Sequence, residues 1–396
     1  MTGELHALRA ELVARIRDRA TIGESVADAL RTVPRHVFLP HLPPESVYRD
    51  EAIVTRRDEA GRPTSSSSQP AIMAIMLDQL GVAPGQRVLE IGAGTGYNAA
   101  LLAHLAGPTG EVVTVDLDPD LVDRARTHLT AAGYPGVHVV CADGAGGFAP
   151  RAPYDRVIAT VGVWDLAPAW LEQLDPAGRL VVPLDLRGVQ RSVAFERAGG
   201  HWASVSVQPC GFMRMRGPFA GPEQLLVLDR DTERMLTVPH DRPIDLDAVR
   251  ATLSEAATEH PTGVSFEPDE VFDGLNLWLA VHEPRWCALG SPVVAPIPAA
   301  PVQAQGFNAT AGILDAGSLA LLASRAGELA VFGYGPDGGR LAAELVARTR
   351  DWDAAGRPGS ATLHVRAYPR ATAADRLDGV LIDKVHTRLA LSWTAG

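Results

Sequence analysis

Leu5, Leu8, Leu12 and Ile16 recur at helical spacing, which predicts an amphipathic helix over residues 4–20. Val26, Ala27 and Leu30 continue the pattern in a second helix that Pro34 ends. A compact segment, Val33–Pro40, follows. Residues 49–63 are charged, with Arg56, Arg57 and Arg62, and read as a solvated loop or an anion-attracting rim. Ala71–Leu77 is an apolar helix with Pro70 suited to its first turn and Ser68 or Gln69 near its cap. From there short apolar runs alternate with helical stretches. Strands are expected at Val88–Ile91, Glu111–Val115 and Val137–Ala142, then near 155–160, 179–184, 191–197 and 202–208. Helices are expected after Gly96, from Asp118-Pro119 to about Ala132, and over 166–174. Such alternation predicts a parallel sheet with helices on both faces.

The pattern continues to the end of the chain. An apolar strand falls at Leu225–Leu228, and a helix near 245–258 starts at Asp245 or Asp247. Leu275–Val281 is a buried element, and Ser291–Gln305, rich in Pro and Ala, reads as an ordered loop or spacer. Leu319–Leu322 and Leu329–Phe332 are short strands or helix, Gly339–Arg350 is a helix, and Thr362–Ala367 and Arg388–Trp393 are strands. The second part is therefore expected to be a folded α/β domain.

Chemistry concentrates at Arg87–Tyr97, a buried strand, a tight glycine turn and a helix start. Gly92, Gly94 and Gly96 remove three side chains where a ligand could approach the backbone. A strand feeding a glycine turn at a helix N-terminus is a nucleotide-binding corner. The spacing is G-x-G-x-G, with Tyr97 where the third glycine of a dinucleotide fingerprint would fall, and no Lys-Ser/Thr pair follows as in a P-loop. Glu90 ends the strand with a carboxylate, which repels pyrophosphate and suits a cationic ligand such as S-adenosylmethionine. Asp116 closes the next strand, with Leu117 behind it, where an acid takes ribose hydroxyls. Asp143-Gly144 follows the third strand and would edge the adenine. Ahead of the corner, Thr64–Pro70 has the composition of a linker, yet a serine-rich turn at a helix N-terminus also offers donors to an anion.

Composition narrows the field. A chain of 396 residues, 46% of them hydrophobic, is long enough for two domains with sizeable cores. A net charge of -11 without a Lys/Arg block disfavours nucleic acid. Cys141, Cys210 and Cys287 are odd in number and far apart, which points to reduced, buried thiols in a cytoplasm and to no disulfide frame or zinc site. No metal spacing links His282, Trp286, Asp383 and His386. No signal peptide or membrane-spanning run is evident, so a cytoplasmic, membrane-free protein is expected.

Ser67-Ser68-Gln69-Pro70, the glycine turn, Ala142-Asp143-Gly144, Ala152–Asp155 and Leu174–Pro183 occur in order, and together they resemble protein-L-isoaspartate O-methyltransferases from about Val33 to Gly217. The resemblance implies a Rossmann-like methyltransferase domain with N-terminal helices over 1–217 and a terminal antiparallel hairpin; the family usually stops near there, and the further residues 218–396 are expected to be an accessory domain that recognises the peptide substrate. It also implies that Ser68 contacts the substrate carboxylate, with Ser67 and Gln69 beside it, and that Glu90, Gly92, Gly94, Gly96, Tyr97, Asp116, Leu117, Asp143 and Gly144 hold S-adenosylmethionine. Two stretches depart from the family pattern. Trp164, in Thr160–Asp165, adds bulk beside the expected acceptor pocket or is a core aromatic. Arg214 and Arg216 replace an apolar stretch and either hold carboxylates, are exposed charges, or form interdomain salt bridges.

The C-terminal extension and the Val161–Asp165 stretch also resemble methyltransferases of ribosomally made, modified peptides (lanthipeptide, lasso and graspetide pathways, including FxLD systems). These esterify an aspartate in a macrocyclic peptide, and the ester closes to a succinimide (aspartimide). The alternatives are repair of isoaspartate in damaged proteins, a cofactor-binding scaffold without turnover, and an RNA base methyltransferase, the last opposed by the acidic charge. The expected partner is a peptide or protein bearing aspartate or isoaspartate.

Overall fold

The computed structural model describes residues 2–57, 63–222, 224–229, 233–238, 243–291, 300–304 and 307–394. Arg62 and most of the Pro/Ala-rich segment 291–305 lie outside these residues. Ten strands form the principal sheet. In chain order they are β1 (Arg87–Ile91), β2 (Glu111–Asp116), β3 (His138–Cys141), β4 (Tyr154–Ala159), β5 (Leu174–Asp185), β6 (Gln190–Ala198), β7 (His201–Pro209), β8 (Leu363–Pro369), β9 (Val380–Asp383) and β10 (Thr387–Trp393). Across the sheet they run β9-β10-β8-β7-β6-β5-β4-β1-β2-β3. The five strands β3, β2, β1, β4 and β5 pair in parallel, and β5 to β7 form an antiparallel meander.

Both faces of the parallel strands are buried, and side-chain alternation divides them. Val88, Ile158 and Val181 join one apolar cluster with Leu12, Ile16, Leu30, Met76, Leu77 and Leu101 of the flanking helices. Leu89, Val157, Leu180 and Val182 face the other way, into a cluster with Trp170. The N-terminal helices, Thr2–Arg17 and Glu24–Thr32, pack with the helices Pro70–Leu80 and Tyr97–Ala106 on the first face. Asp118 caps the helix Pro119–Ala131 through Asp120 N–H, as its Asp-Pro start predicts.

Residues beyond 217 build a second sheet in which every pairing is antiparallel. Its hairpin Ser318–Arg325/Glu328–Tyr334 covers the two stretches that the pattern left open between strand and helix. The helix Gly338–Ala354 packs on this sheet, and its Leu341, Leu345 and Trp352 belong to the same cluster as Trp170 and Leu180. One core therefore runs from the first sheet into the second. The last strands return to the first sheet, with Ala367 opposite Trp202 and Arg366 opposite Ala203, so segment 218–396 is shared between the two sheets.

The Trp164 stretch anchors that return. Asp165 is 1% exposed; its Oδ2 accepts from His386 N–H (2.6 Å), and its Oδ1 accepts from the Thr387 hydroxyl (2.6 Å) and Leu166 N–H (2.8 Å). Lys384, also buried, sits 4.7 Å from the Trp164 ring centroid and donates to the Asp185 carbonyl at 2.9 Å. Replacing Asp165 with Ala removes three hydrogen bonds around buried donors. It is expected to cost about 2 kcal/mol, and hydrogen exchange over 380–393 should quicken. Unchanged protection there would exclude Asp165 as the anchor.

Candidate active site

A cavity of about 510 Å³ opens at the C-terminal ends of β1, β2 and β4, where the parallel strands deliver their loops. The predicted residues on its wall are Ser67, Ser68, Gln69, Gly92, Gly94, Tyr97, Asp116, Leu117, Asp143, Gly144, Arg214 and Arg216. Glu90, Gly96 and Trp164 are not on it.

The three glycines have different tasks. All have positive φ: 104° at Gly92, 52° at Gly94 and 89° at Gly96. A Cβ on Gly92 would lie 2.8 Å from Thr160 Oγ1, and one on Gly96 would meet Leu129 and Ala125 at 3.2 and 3.3 Å. Those two positions are small because protein packs against them. At Gly94 a Cβ would find only the Ser66 carbonyl, at 3.9 Å, so it is the glycine that leaves room for a ligand.

Glu90 is fully buried beneath the turn, and its carboxylate accepts from Asn98 Nδ2 (2.8 Å) and Thr114 Oγ1 (2.6 Å). Burial raises its pKa to about 7, against these two hydrogen bonds. It therefore anchors Asn98, which does line the cavity, and is not itself a counter-charge in the cavity wall. Between the ordinary carboxyl value of 4.5 and about 7, the folded chain holds a proton that the unfolded chain has lost. Stability is thus higher below this window and falls as pH rises through it, by about 1.4 kcal/mol per pH unit. Glu90→Gln is expected to flatten that slope in denaturant titrations; an unaltered slope would rule out Glu90 as its source.

Asp116 sits at the wall with Oδ2 accepting from Gly94 N–H (3.0 Å) and Oδ1 from Asp118 N–H (3.2 Å). Each oxygen keeps a lone pair for a hydroxyl donor. Burial raises its pKa, opposed first by Gly94 N–H and then by the charge of Arg216. Leu117, 48% exposed, and Asp143, whose Oδ1 accepts from Ala145 N–H at 2.9 Å, complete this end.

The serine stretch, also on the cavity wall, is not a linker. Pro63–Ser67 is a strand paired with Ile53–Arg57, so part of the expected charged loop is also strand. Ser65 and Ser67 point inward and are buried. The turn that follows is held by Arg35, which is fully buried and which sequence patterning passed over. Its guanidinium donates to the carbonyls of Val47 (2.8 Å), Arg49 (3.3 Å), Glu51 (3.4 Å) and Ser68 (3.0 Å), and to the Ser67 hydroxyl (3.3 Å). It also lies 5.8 Å from the centroid of the Tyr97 ring. Gln69 is the N-cap residue of the helix Pro70–Leu80, but its side chain makes no capping bond; Asp50 instead accepts from Ala71 N–H (2.8 Å) and Gln69 Nε2 (3.0 Å). The Tyr97 hydroxyl, at the wall, is buried with no hydrogen-bond partner among the described residues.

Of the two family departures, Arg214 and Arg216 line the cavity and Trp164 does not. Trp164 is directed to Lys384 and the Gly221 backbone. Arg214 reaches Asp185 at 3.7 Å while lining the cavity, and Asp185 is in turn held by Lys384. Cys141 is exposed at the end of edge strand β3, against the expectation of burial, whereas Cys210 and Cys287 are buried. No group of His, Cys, Asp and Glu fit for a metal occurs among the described residues, and none of the described helices is long and apolar enough to cross a membrane.

Residues 7–217 match the family described as Protein-L-isoaspartate(D-aspartate) O-methyltransferase (PCMT). A protein-L-isoaspartate O-methyltransferase of Methanopyrus kandleri is 42% identical over 184 residues, covering 46% of this chain and 79% of the relative. One from Methanoculleus marisnigri is 37% identical over 212 residues, covering 53% and 92%. The chain belongs to this family. Its members are S-adenosylmethionine-dependent carboxyl O-methyltransferases, and that is the enzyme class of this protein. A solved protein-L-isoaspartate O-methyltransferase aligns along 98% of this chain and 99% of its own, with a TM-score of 0.52 and 22% identity. The fold beyond residue 217 is thus shared with a structure of that name.

The cavity fits S-adenosylmethionine. Gly94 leaves the approach open, Asp116 retains acceptor capacity, Leu117 offers an apolar surface, and Asp143 has one oxygen beyond its turn bond.

Proposed function

We propose that this enzyme methylates the free carboxylate of an isoaspartyl residue in a peptide or protein, as the names of its relatives say of them. The observation that carries the reading is the pairing, across one cavity, of the Arg35-held Ser67-Ser68 turn with the Gly94–Asp116 end. S-adenosylmethionine supplies an electrophilic methyl group on a sulfonium. The acceptor carboxylate is ionised at neutral pH, since its pKa is about 4, so no side chain needs to remove a proton. What the chain contributes is alignment. In this reading Ser68 holds the carboxylate, Asp116, Leu117 and Asp143 hold the cofactor, and the walls exclude water. Accessory segment 218–396 braces the catalytic sheet through β8–β10.

A second reading is tailoring of an aspartate in a ribosomally made, macrocyclic peptide. There the next backbone nitrogen displaces methanol from the new ester and leaves a succinimide, a net loss of one water. The observation that favours it is Phe272, from beyond the family-matched residues, on the cavity wall.

Mass spectrometry of two reactions separates the readings. Methylation of an unstructured isoaspartyl peptide, with indifference to a macrocyclic aspartyl peptide, supports the first. Methylation of the macrocycle alone, followed by loss of water, overturns it in favour of the second.

A further inference from the structure

Every described residue lining the cavity lies within residues 7–217 except Phe272. It belongs to the π-helical segment Val271–Leu275, and it is 41% exposed although Val271 and Leu275 are buried. Its position is built. Arg191, fully buried, donates to the carbonyls of Phe272 (3.2 Å) and Asp273 (2.6 Å) and to the Ser360 hydroxyl (2.8 Å). Ser360 N–H donates to Asp273 Oδ2 at 3.1 Å, closing the network. Burying a guanidinium is costly, and here these hydrogen bonds offset the cost while fixing the π-helical backbone.

The same arginine tells which end of the cavity Phe272 serves. Arg191 pairs across the sheet with Pro209, and Pro209 and Cys210 line the cavity beside Phe212 and Met213. Asp116, Leu117 and Asp143, the nucleotide end, lie at or just beyond the ends of strands on the other half of the sheet. An accessible ring whose backbone is fixed, on the same cavity wall as these apolar residues, has little use for a charged acceptor flank but gains contact area from an apolar one.

We infer that Phe272 forms an apolar subsite for the residue flanking the methylated one, so that the accessory segment selects acceptors with a bulky apolar neighbour. The inference rests on a peptide being the acceptor, as in the reading above.

The test measures binding, not turnover. Full-length enzyme saturated with S-adenosylhomocysteine is titrated with fluorescein-labelled isoaspartyl peptides carrying Leu or Ser on either flank. The wild type should bind a Leu-flanked peptide about tenfold more tightly, the size of one buried apolar contact. Phe272→Ala should bring both peptides to the weaker affinity, Phe272→Leu should keep most of the preference, and S-adenosylhomocysteine affinity should be unchanged in both variants. A wild type that ignores the flank, a preference that survives Phe272→Ala, or a loss of S-adenosylhomocysteine affinity would each overturn the subsite. If the wild type discriminates between the peptides in this titration but, in a separate reaction with S-adenosylmethionine, methylates none, the subsite stands and the isoaspartyl reading falls. If it binds neither peptide, both fall.

Discussion

Ser68→Ala is expected to lower kcat/KM for the acceptor by about 10²-fold, the scale on which one positioned donor at a reacting group acts. Affinity for S-adenosylhomocysteine, read by calorimetry, should remain near the wild-type value. The expectation follows from where Ser68 sits. It lines the cavity, its carbonyl is tied to Arg35, and no hydrogen bond among the described residues engages its hydroxyl. A serine held by its backbone with a free hydroxyl is a donor set in place before substrate arrives. Because the acceptor carboxylate needs no base, loss of alignment is the main route by which this substitution can act. A parallel loss of cofactor affinity would show instead that Ser68 supports the glycine turn, whose Gly94 lies near the Ser66 carbonyl.

The strand, glycine turn and helix at Arg87–Ala106 were legible because their signal is local. A five-residue apolar strand, three glycines and a helix lie within Arg87–Ala106, and acids close or follow the neighbouring strands β2 and β3. What local pattern hid was the division of labour. Gly92, Gly94 and Gly96 look alike in a sequence, yet only the packing of Thr160, Leu129 and Ala125 separates close contact from open approach. Glu90 looked like a cavity acid because it ends a strand; a strand's alternation, however, turned it inward onto Asn98 and Thr114.

Other features were hidden because they are long-range. Trp164 and Asp165 are separated by more than 200 positions from the Lys384–Thr387 turn that explains them. Similarly, β8 joins β7 across the whole second sheet, and nothing periodic in Leu363–Pro369 names Trp202 as its neighbour. The serine stretch misled for a different reason. Strand Pro63–Ser67 carries hydroxyls where an apolar alternation would be sought, and its inward residues are satisfied by polar partners, Thr55 for Ser65 and Arg35 for Ser67. A usable signal was present, a single arginine in the apolar run Val33–Leu39. A cation in such a place needs several acceptors, and a nearby polar stretch is where they come from.

Arg35→Met is therefore expected to have the largest effect on stability, a loss of about 3 kcal/mol, together with a fall in kcat. The substitution keeps volume but leaves the carbonyls of Val47, Arg49, Glu51 and Ser68 and the hydroxyl of Ser67 without their donor. Relief of the guanidinium's own burial offsets part of the cost: desolvation lowers its pKa, while Tyr97 and Asp50 oppose that shift. Arg35→Lys keeps the charge but replaces a fork of donors with one ammonium, which cannot serve carbonyls from two segments, 47–51 and 67–68, at once. It should fold with intermediate stability and recover cofactor binding without recovering kcat. That split is what a purely structural role would not produce, because general loosening lowers cofactor affinity and turnover together. Urea melts of the three proteins, paired with single-turnover transfer assays, read both quantities, and full transfer by folded Arg35→Lys would remove Arg35 from the account of how Ser68 is held.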